Sequence, residues 1–274
     1  MLGFCGRLNK TCFNISRGFT LIELIVVMLV VSILGAYSTS FVVSSTESYH
    51  LNRIQNRLLA KGRLSLEQMT RMLRSAVPNS IRVSPSGNCV EFLPSVGAAF
   101  YEAQVSDVSN GIMPMSSSVS TSPFLLDLGS AEHVVIGSFL ASEIYSSASP
   151  SARAEVASTV GSPISQVNFS LPHRFIRNSN SRRVYLADDP VRFCLNGGSL
   201  WLYDNYGLLT TAINDGNPGG NATLMSDSVT TNASAFSLQA GTQARGAALS
   251  IALTYAESDI AIDLNQVVLA RNVP

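Results

Sequence analysis

The segment 19–43 constrains this chain more than any other. It is apolar on nearly every side, with Ser32, Gly35 and Ser38 as small interruptions. A helix hydrophobic all round is a membrane span or a core helix. At ~1.5 Å per residue, 25 residues reach about 37 Å, enough to cross a bilayer. One carboxylate, Glu23, lies near the start of the run. A charge at bilayer depth costs roughly 2.5–3.5 kcal/mol, so such a residue is usually kept for a task. Residues 1–18 carry Arg7, Lys10 and Arg17 and no acid. A short basic tail beside an apolar span stays cytoplasmic, which places the rest of the chain across the membrane.

The helical pattern continues past the span and changes character. Leu51, Ile54, Leu58, Leu66, Met69 and Leu73 recur at helical spacings, with Arg53, Arg57, Lys61, Arg63, Arg71 and Arg74 mostly between them. This is an amphipathic helix with an apolar stripe turned toward a partner. One helix is therefore expected from Phe19 to about Ala76, its halves dividing into 19–43 and 44–78, with Pro78 ending it. Gly35 and Gly62 are weak points within it, each costing about 1 kcal/mol relative to Ala.

Residues 79–274 read as β-rich. Strands are expected at 81–83, 89–93, 124–128, 133–139, 183–186, 191–195, 200–203, 249–255 and 267–270. Asn196-Gly197-Gly198 is a strong hairpin signal, and Ala256-Glu257-Ser258-Asp259 joins 249–255 to 260–264. Segments 104–122, 146–165 and 213–234, rich in Ser, Thr, Asn and Gly, read as surface loops, with a short helix at 151–159. The expected fold class is α+β: a long N-terminal helix, then a mainly antiparallel β-sheet domain packed on its second half.

Arg17-Gly18-Phe19-Thr20-Leu21-Ile22-Glu23 and the apolar tract behind it resemble the type IV prepilin processing site. The resemblance implies cleavage between Gly18 and Phe19 by a prepilin peptidase, N-methylation of Phe19, and assembly into a pilus-like fibre. There, Glu23 of one subunit meets the Phe19 amine of another and sets the register. An ordinary signal peptide cut near Gly35-Ala36 is the rival reading, but it has no use for Glu23. The length of the chain, and Ser40 where many major pilins have a helix-kinking proline, favour a minor pilin or pseudopilin. Met72 through Val83, Arg192-Phe193-Cys194-Leu195 and the closing Asn272-Val273-Pro274 are similar to the MshO-type minor pilins of the MSHA (mannose-sensitive haemagglutinin) pilus. That likeness implies a role in initiating assembly or at the fibre tip, with adhesion as a further option. The implied partners are other minor and major pilins and the inner-membrane assembly platform. The alternative is a type II secretion pseudopilin of the tip complex.

Removing Arg7, Lys10 and Arg17 from the 18 basic residues leaves 15 against 18 acidic ones, a net of −3. Beyond residue 79, Arg182-Arg183 is the only adjacent basic pair. No nucleic-acid partner is expected, which weakens a DNA-uptake reading. Cys5 and Cys12 fall in the leader; Cys89 and Cys194 fall in the exported part, where disulfides persist. Those two form one disulfide or stay as buried thiols; the bridge would close about 105 residues and contribute ~4–5 kcal/mol. No enzyme, metal or cofactor is expected. His50, His133 and His173 lack metal-ligand spacing, and Asp188-Asp189-Pro190 reads as a turn. The loop from Asn214 to Asn221 has oxygen-bearing side chains but not the spaced carboxylates of a calcium loop. Trp201 and Tyr203 alternate onto one face and read as core.

Overall fold

The computed structural model describes residues 18–109, 114–127, 129–146, 148–231, 233–241 and 246–270. The leader residues Arg7, Lys10, Arg17, Cys5 and Cys12, and the terminal Asn272-Val273-Pro274, lie outside the described residues. The chain divides into two compact units, one ending at Arg53 and one beginning at Ile54. In chain order the elements are α1 (Leu21–Arg74), β1 (Arg82–Val83), β2 (Cys89–Phe92), β3 (Ser95–Phe100), β4 (Ser116–Phe124), β5 (His133–Val135), α2 (Ala141–Ile144), β6 (Arg153–Val160), β7 (Ile164–His173), β8 (Arg183–Ala187), β9 (Val191–Asn196), β10 (Ser199–Asp204), β11 (Asn221–Asp227), β12 (Val229–Thr230), β13 (Phe236–Gln239), β14 (Ala248–Glu257) and β15 (Ile260–Leu269). A long apolar helix followed by a mainly antiparallel β domain is the α+β architecture expected.

Helix α1 stops at Arg74, where Ser75 and Ala76 donate back to Met72 and Leu73 in i→i+3 bonds. That tightening is how many helices end. In the second unit its buried stripe is Ile54, Leu58, Gly62, Ser65, Leu66, Met69 and Leu73. Leu51, expected on that stripe, is exposed. The stripe shares one core with Phe92, Phe193 and Leu200 of one sheet and Phe236, Leu249, Ile251 and Tyr255 of another. Gly62 is the point of closest approach. A Cβ there would lie 2.1 Å from Leu264 Cδ1 and 3.0 Å from the Tyr255 ring, so the apparent weakness at this position is a packing requirement. Arg57–Glu257 and Lys61–Asp227 ion pairs flank the contact.

Three sheets form the β portion. The first has strand order β1-β2-β9-β10-β11; the second sets β12 and β13 on one side of β14 and β15 on the other. The third, β3-β8-β5-β6-β7-β4, curls until its ends meet: Tyr101 bridges Thr121, and Glu102 N donates to Ser120 O at 3.1 Å. This partly closed barrel has its own core, including Tyr101, Val134, Val167, Phe169, Phe175 and Leu186. It is an insertion. The chain leaves the first sheet after β2 and returns as β9, and these two strands are antiparallel neighbours from Cys89↔Cys194 to Phe92↔Val191. A small cluster around Val77, Leu93, Ile144 and Tyr145 fills the base of the insertion.

Several expectations fail in the inserted barrel and in the strands that follow it. The segment 151–159 is strand β6, not a short helix, because β5 and β7 pair with it on both sides. The loop expected at 104–122 contains most of β4, and the strand expected at 124–128 overlaps only its last residue. The loop expected at 213–234 contains β11 and β12; that at 146–165 contains β6. Strands β3, β7 and β13 were not anticipated, and the strand expected at 133–139 ends at Val135. Segments 260–264 and 267–270 belong to one strand, β15, which ends at Leu269. Gly197 and Gly198 form the two-residue β9–β10 turn with φ of +58° and +74°, the left-handed pair that such hairpins require.

Candidate functional site

The helix start is built by the motif residues themselves. Gly18, Phe19 and Thr20 are not helical, and α1 begins at Leu21. Thr20 Oγ1 accepts a hydrogen bond from the Glu23 N–H at 3.3 Å, while the Thr20 carbonyl accepts from Glu23 N and Leu24 N at 3.1 and 3.2 Å. Thr20 is thus the N-cap, supplying a partner to one of the first-turn N–H groups that no helix can satisfy internally. Glu23 falls in that first turn, where the helix dipole favours a negative charge. The helix field therefore offsets part of the cost of a carboxylate in an apolar segment.

Among the described residues nothing covers this segment. Phe19 is 74% exposed, and the side chains of Leu21, Ile22, Leu24, Ile25, Val26 and Val27 are exposed as well. Among the described residues α1 is the one helix long and apolar enough to cross a membrane. Five of its hydroxyl side chains find acceptors within the helix. Ser32, Ser38, Thr39 and Thr46 donate to the carbonyls of Met28, Leu34, Gly35 and Val42, four residues earlier, at 2.6–2.9 Å. Ser40 donates to Tyr37 O at 3.0 Å. Such back-bonding lets hydroxyls sit in lipid or between packed helices without an unpaired donor. The arrangement requires a greasy surrounding, either bilayer or neighbouring helices.

Cys89 and Cys194 lie in the other unit. They are directly opposite on β2 and β9, bonded through their sulfurs, with Cα atoms 4.2 Å apart and a sequence separation of 105. The bond closes the neck of the barrel insertion. Trp201, Tyr203, Tyr206 and Ile213 pack around it, with Tyr203 buried and Trp201 half-buried.

One buried group escaped sequence reasoning. Arg82, Glu91 and Arg192 stand in a row across β1, β2 and β9, each directly opposite the next. Glu91 is fully buried. Its Oε1 accepts from Arg192 Nη2 at 2.8 Å, Arg192 Nε at 3.1 Å and the Tyr206 hydroxyl at 2.7 Å; Arg82 engages Oε2. The guanidiniums reach on to Leu209 O, Thr211 O and Gly216 O, so the network ties the β10–β11 connection to the sheet. Burial and the Glu91 carboxylate push the Tyr206 phenol far above its ordinary range. A signal existed: a lone glutamate inside the short apolar strand Cys-Val-Glu-Phe needs a buried cation.

The other candidate residues are occupied by local structure. In the loop 214–221, Asn214 Oδ1 accepts from Gly216 N and Arg192, Asp215 from the Ser86 hydroxyl, and Asn217 from Gly219 N. Asp188 accepts from Ser130 and Asp189 N, fixing the turn before β9. His133 is buried, with Nδ1 3.2 Å from Arg153 Nη1 and Nε2 3.3 Å from Asp189 Oδ1. Burial and the Arg153 charge lower its pKa to about 4, so at neutral pH it is a neutral imidazole and not half of an ion pair. Among the described residues no three His, Cys, Asp or Glu side chains group as a metal site.

Residues 14–38 match the family pattern described as the prokaryotic N-terminal methylation motif. No curated protein and no solved structure matches the chain. The match makes the N-terminus type IV prepilin-like, heading a long apolar helix. It supports a pilin- or pseudopilin-like structural protein that is anchored in a membrane, processed by a prepilin peptidase and assembled with other pilins.

Proposed function

We propose that the chain is a minor pilin of a type IV pilus, of the MSHA kind and MshO-type, acting when the fibre is initiated or at its tip. Residues 1–18 are a cytoplasmic leader, 19–43 the membrane and assembly helix, 44–78 the amphipathic half, and 79–274 the globular domain. The prepilin peptidase cuts between Gly18 and Phe19, and Phe19 is then N-methylated. Before assembly the protein sits in the inner membrane with its β domain in the periplasm. In the fibre, Glu23 pairs with the Phe19 amine of a neighbour. In a low-dielectric core such a pair is position-specific, and a carboxylate left unpaired there is costly.

The observation that carries this reading is the capped motif Gly18-Phe19-Thr20-Leu21-Ile22-Glu23 opening an uncovered apolar helix. The inserted barrel adds support for a specialised subunit, since a repeating fibre subunit has little use for an extra head. Mass spectrometry of the mature N-terminus is the test: methylated Phe19 is expected, and a start near Ala36 refutes the reading. Glu23→Ala should abolish incorporation into the fibre. Deletion of the gene should remove pili while leaving protein secretion intact; the reverse outcome assigns the chain to a type II secretion tip complex.

A further inference from the structure

Strand β15 ends its sheet. It pairs with β14 at ten register positions, from Ala248↔Leu269 to Glu257↔Ile260, without a bulge, and no described strand pairs with its other side. The two-residue turn Ser258-Asp259 makes Glu257 and Ile260 a hydrogen-bonded pair. One strand position beyond the end, Ala270 N donates to Ala247 O. The even-numbered residues therefore direct their backbone groups to β14. Ala261, Asp263, Asn265, Val267 and Leu269 direct theirs outward. Protected edges are short, bulged, or carry Lys or Pro. β15 is ten residues long and has none of these devices, and its one charge, Asp263, accepts the Thr254 hydroxyl.

Helix α1 continues beside this edge. A groove of about 630 Å³ is lined by Arg63, Leu66, Glu67, Arg71 and Arg74 of the helix and Gln266 of β15. A second hollow of about 420 Å³ shares Arg71 and Arg74 and runs on to Ser95 and Gly97 of β3. Arg63, Arg71 and Arg74 are exposed, and none takes part in the ion pairs among the described residues. Glu67 is the only acid lining the first groove.

We propose that this edge receives an extended acidic segment of a neighbouring pilin-like subunit as an added strand, a partner class that rests on the pilus reading above. The outward N–H and C=O groups require a partner that both donates and accepts at strand spacing, which a polypeptide does. A phosphate headgroup or nucleic-acid backbone accepts but has nothing to donate to the outward carbonyls. The three unpaired guanidiniums select carboxylates, which they hold in two-pronged hydrogen bonds. Backbone pairing supplies register, and the arginines supply choice of partner.

The test uses the full chain in nanodiscs and two fluorescent ten-residue peptides, one alternating Glu and Thr, the other Lys and Thr. The Glu peptide should bind saturably and the Lys peptide should not. Arg71→Glu with Arg74→Glu should weaken binding at least tenfold. Val267→Pro, which removes an outward N–H and none directed to β14, should do the same. Amide exchange at Ala261, Asp263, Asn265, Val267 and Leu269 should slow on binding. Equal binding of both peptides, binding without that protection, or displacement by short duplex DNA overturns the proposal. A methylated Phe19 without peptide binding leaves the pilus reading standing and removes this one.

Discussion

Replacing Glu91 by Gln tests whether the Arg82–Glu91–Arg192 row is a structural keystone. The substitution keeps the side chain's size and removes its charge. Arg192 is 2% exposed in its side chain and Arg82 12%, so neither cation can turn to water. The new amide also sets an N–H group against arginine donors that previously found oxygen. Removing one partner of a buried ion pair costs about 3–5 kcal/mol. The backbone acceptors Leu209 O, Thr211 O and Gly216 O stay with the arginines, which places the expected loss near 3 kcal/mol, the lower end of that range. That is a large part of the ~5–15 kcal/mol a domain has in total. Trp201, the single tryptophan, packs beside this region and reports unfolding by fluorescence during urea titration in detergent. Replacing all three together, Arg82→Met with Glu91→Leu and Arg192→Met, should recover most of the loss, because no buried charge is then left alone. A loss below about 1 kcal/mol for Glu91→Gln, or a triple variant worse than the single, refutes the reasoning.

Breaking the neck bond with Cys89→Ser and Cys194→Ser should lower stability by about 4–5 kcal/mol, from the 105-residue separation; a loss under about 1 kcal/mol in urea melts contradicts it. Gly62→Leu should destabilise by about 1–3 kcal/mol or more, because Tyr255 is fully buried and cannot yield, and the melts should show that loss despite leucine's better helix propensity. His133 binds its proton less readily folded than unfolded, so the unfolded chain takes up protons first. The domain should therefore lose stability as pH falls from about 6.5 to about 4, by ~3 kcal/mol from this residue, and His133→Gln should flatten that slope. His173, also lowered by burial, adds to the slope in the same direction. An identical pH profile in the variant refutes the assignment.

The helix and the β9–β10 and β14–β15 hairpins were legible because periodicity and turn residues speak for them. The stripe from Ile54 to Leu73 repeats at helical spacing, and the strands flanking Gly197-Gly198 and Ser258-Asp259 are bounded by turn residues. The barrel was legible only at β5 and β8, for a physical reason. Its strands β4, β6 and β7 read Ser-Ser-Ser-Val-Ser-Thr-Ser, Ala-Glu-Val-Ala-Ser-Thr-Val and Ser-Gln-Val-Asn-Phe-Ser, with one or two apolar residues turned inward in each short stretch and mostly polar or small residues between them. Such composition imitates a loop until the partner strand is known. At the N-terminus, Gly18, Phe19 and Glu23 were singled out by their resemblance to the prepilin processing site. The cap by Thr20 and the row around Glu91 needed the geometry.

The position of the insertion has an energetic logic. A long loop added to a sheet must bring its two ends together, and that closure costs entropy. Here the ends are neighbours, since β2 and β9 pair in register at four positions. The barrel then folds on its own core, and the helix-backed sheets keep theirs. A head of almost any size can be mounted at such a neck without altering the face that packs on α1. Among the described residues the two parts meet at the small cluster around Val77, Leu93 and Tyr145, at the neck strands, and through bonds such as Ser95 N to Ser75 O and Asn79 Nδ2 to Ser138 O. Within one protein, the residues that pack on the helix and those that build the barrel core are thus largely separate.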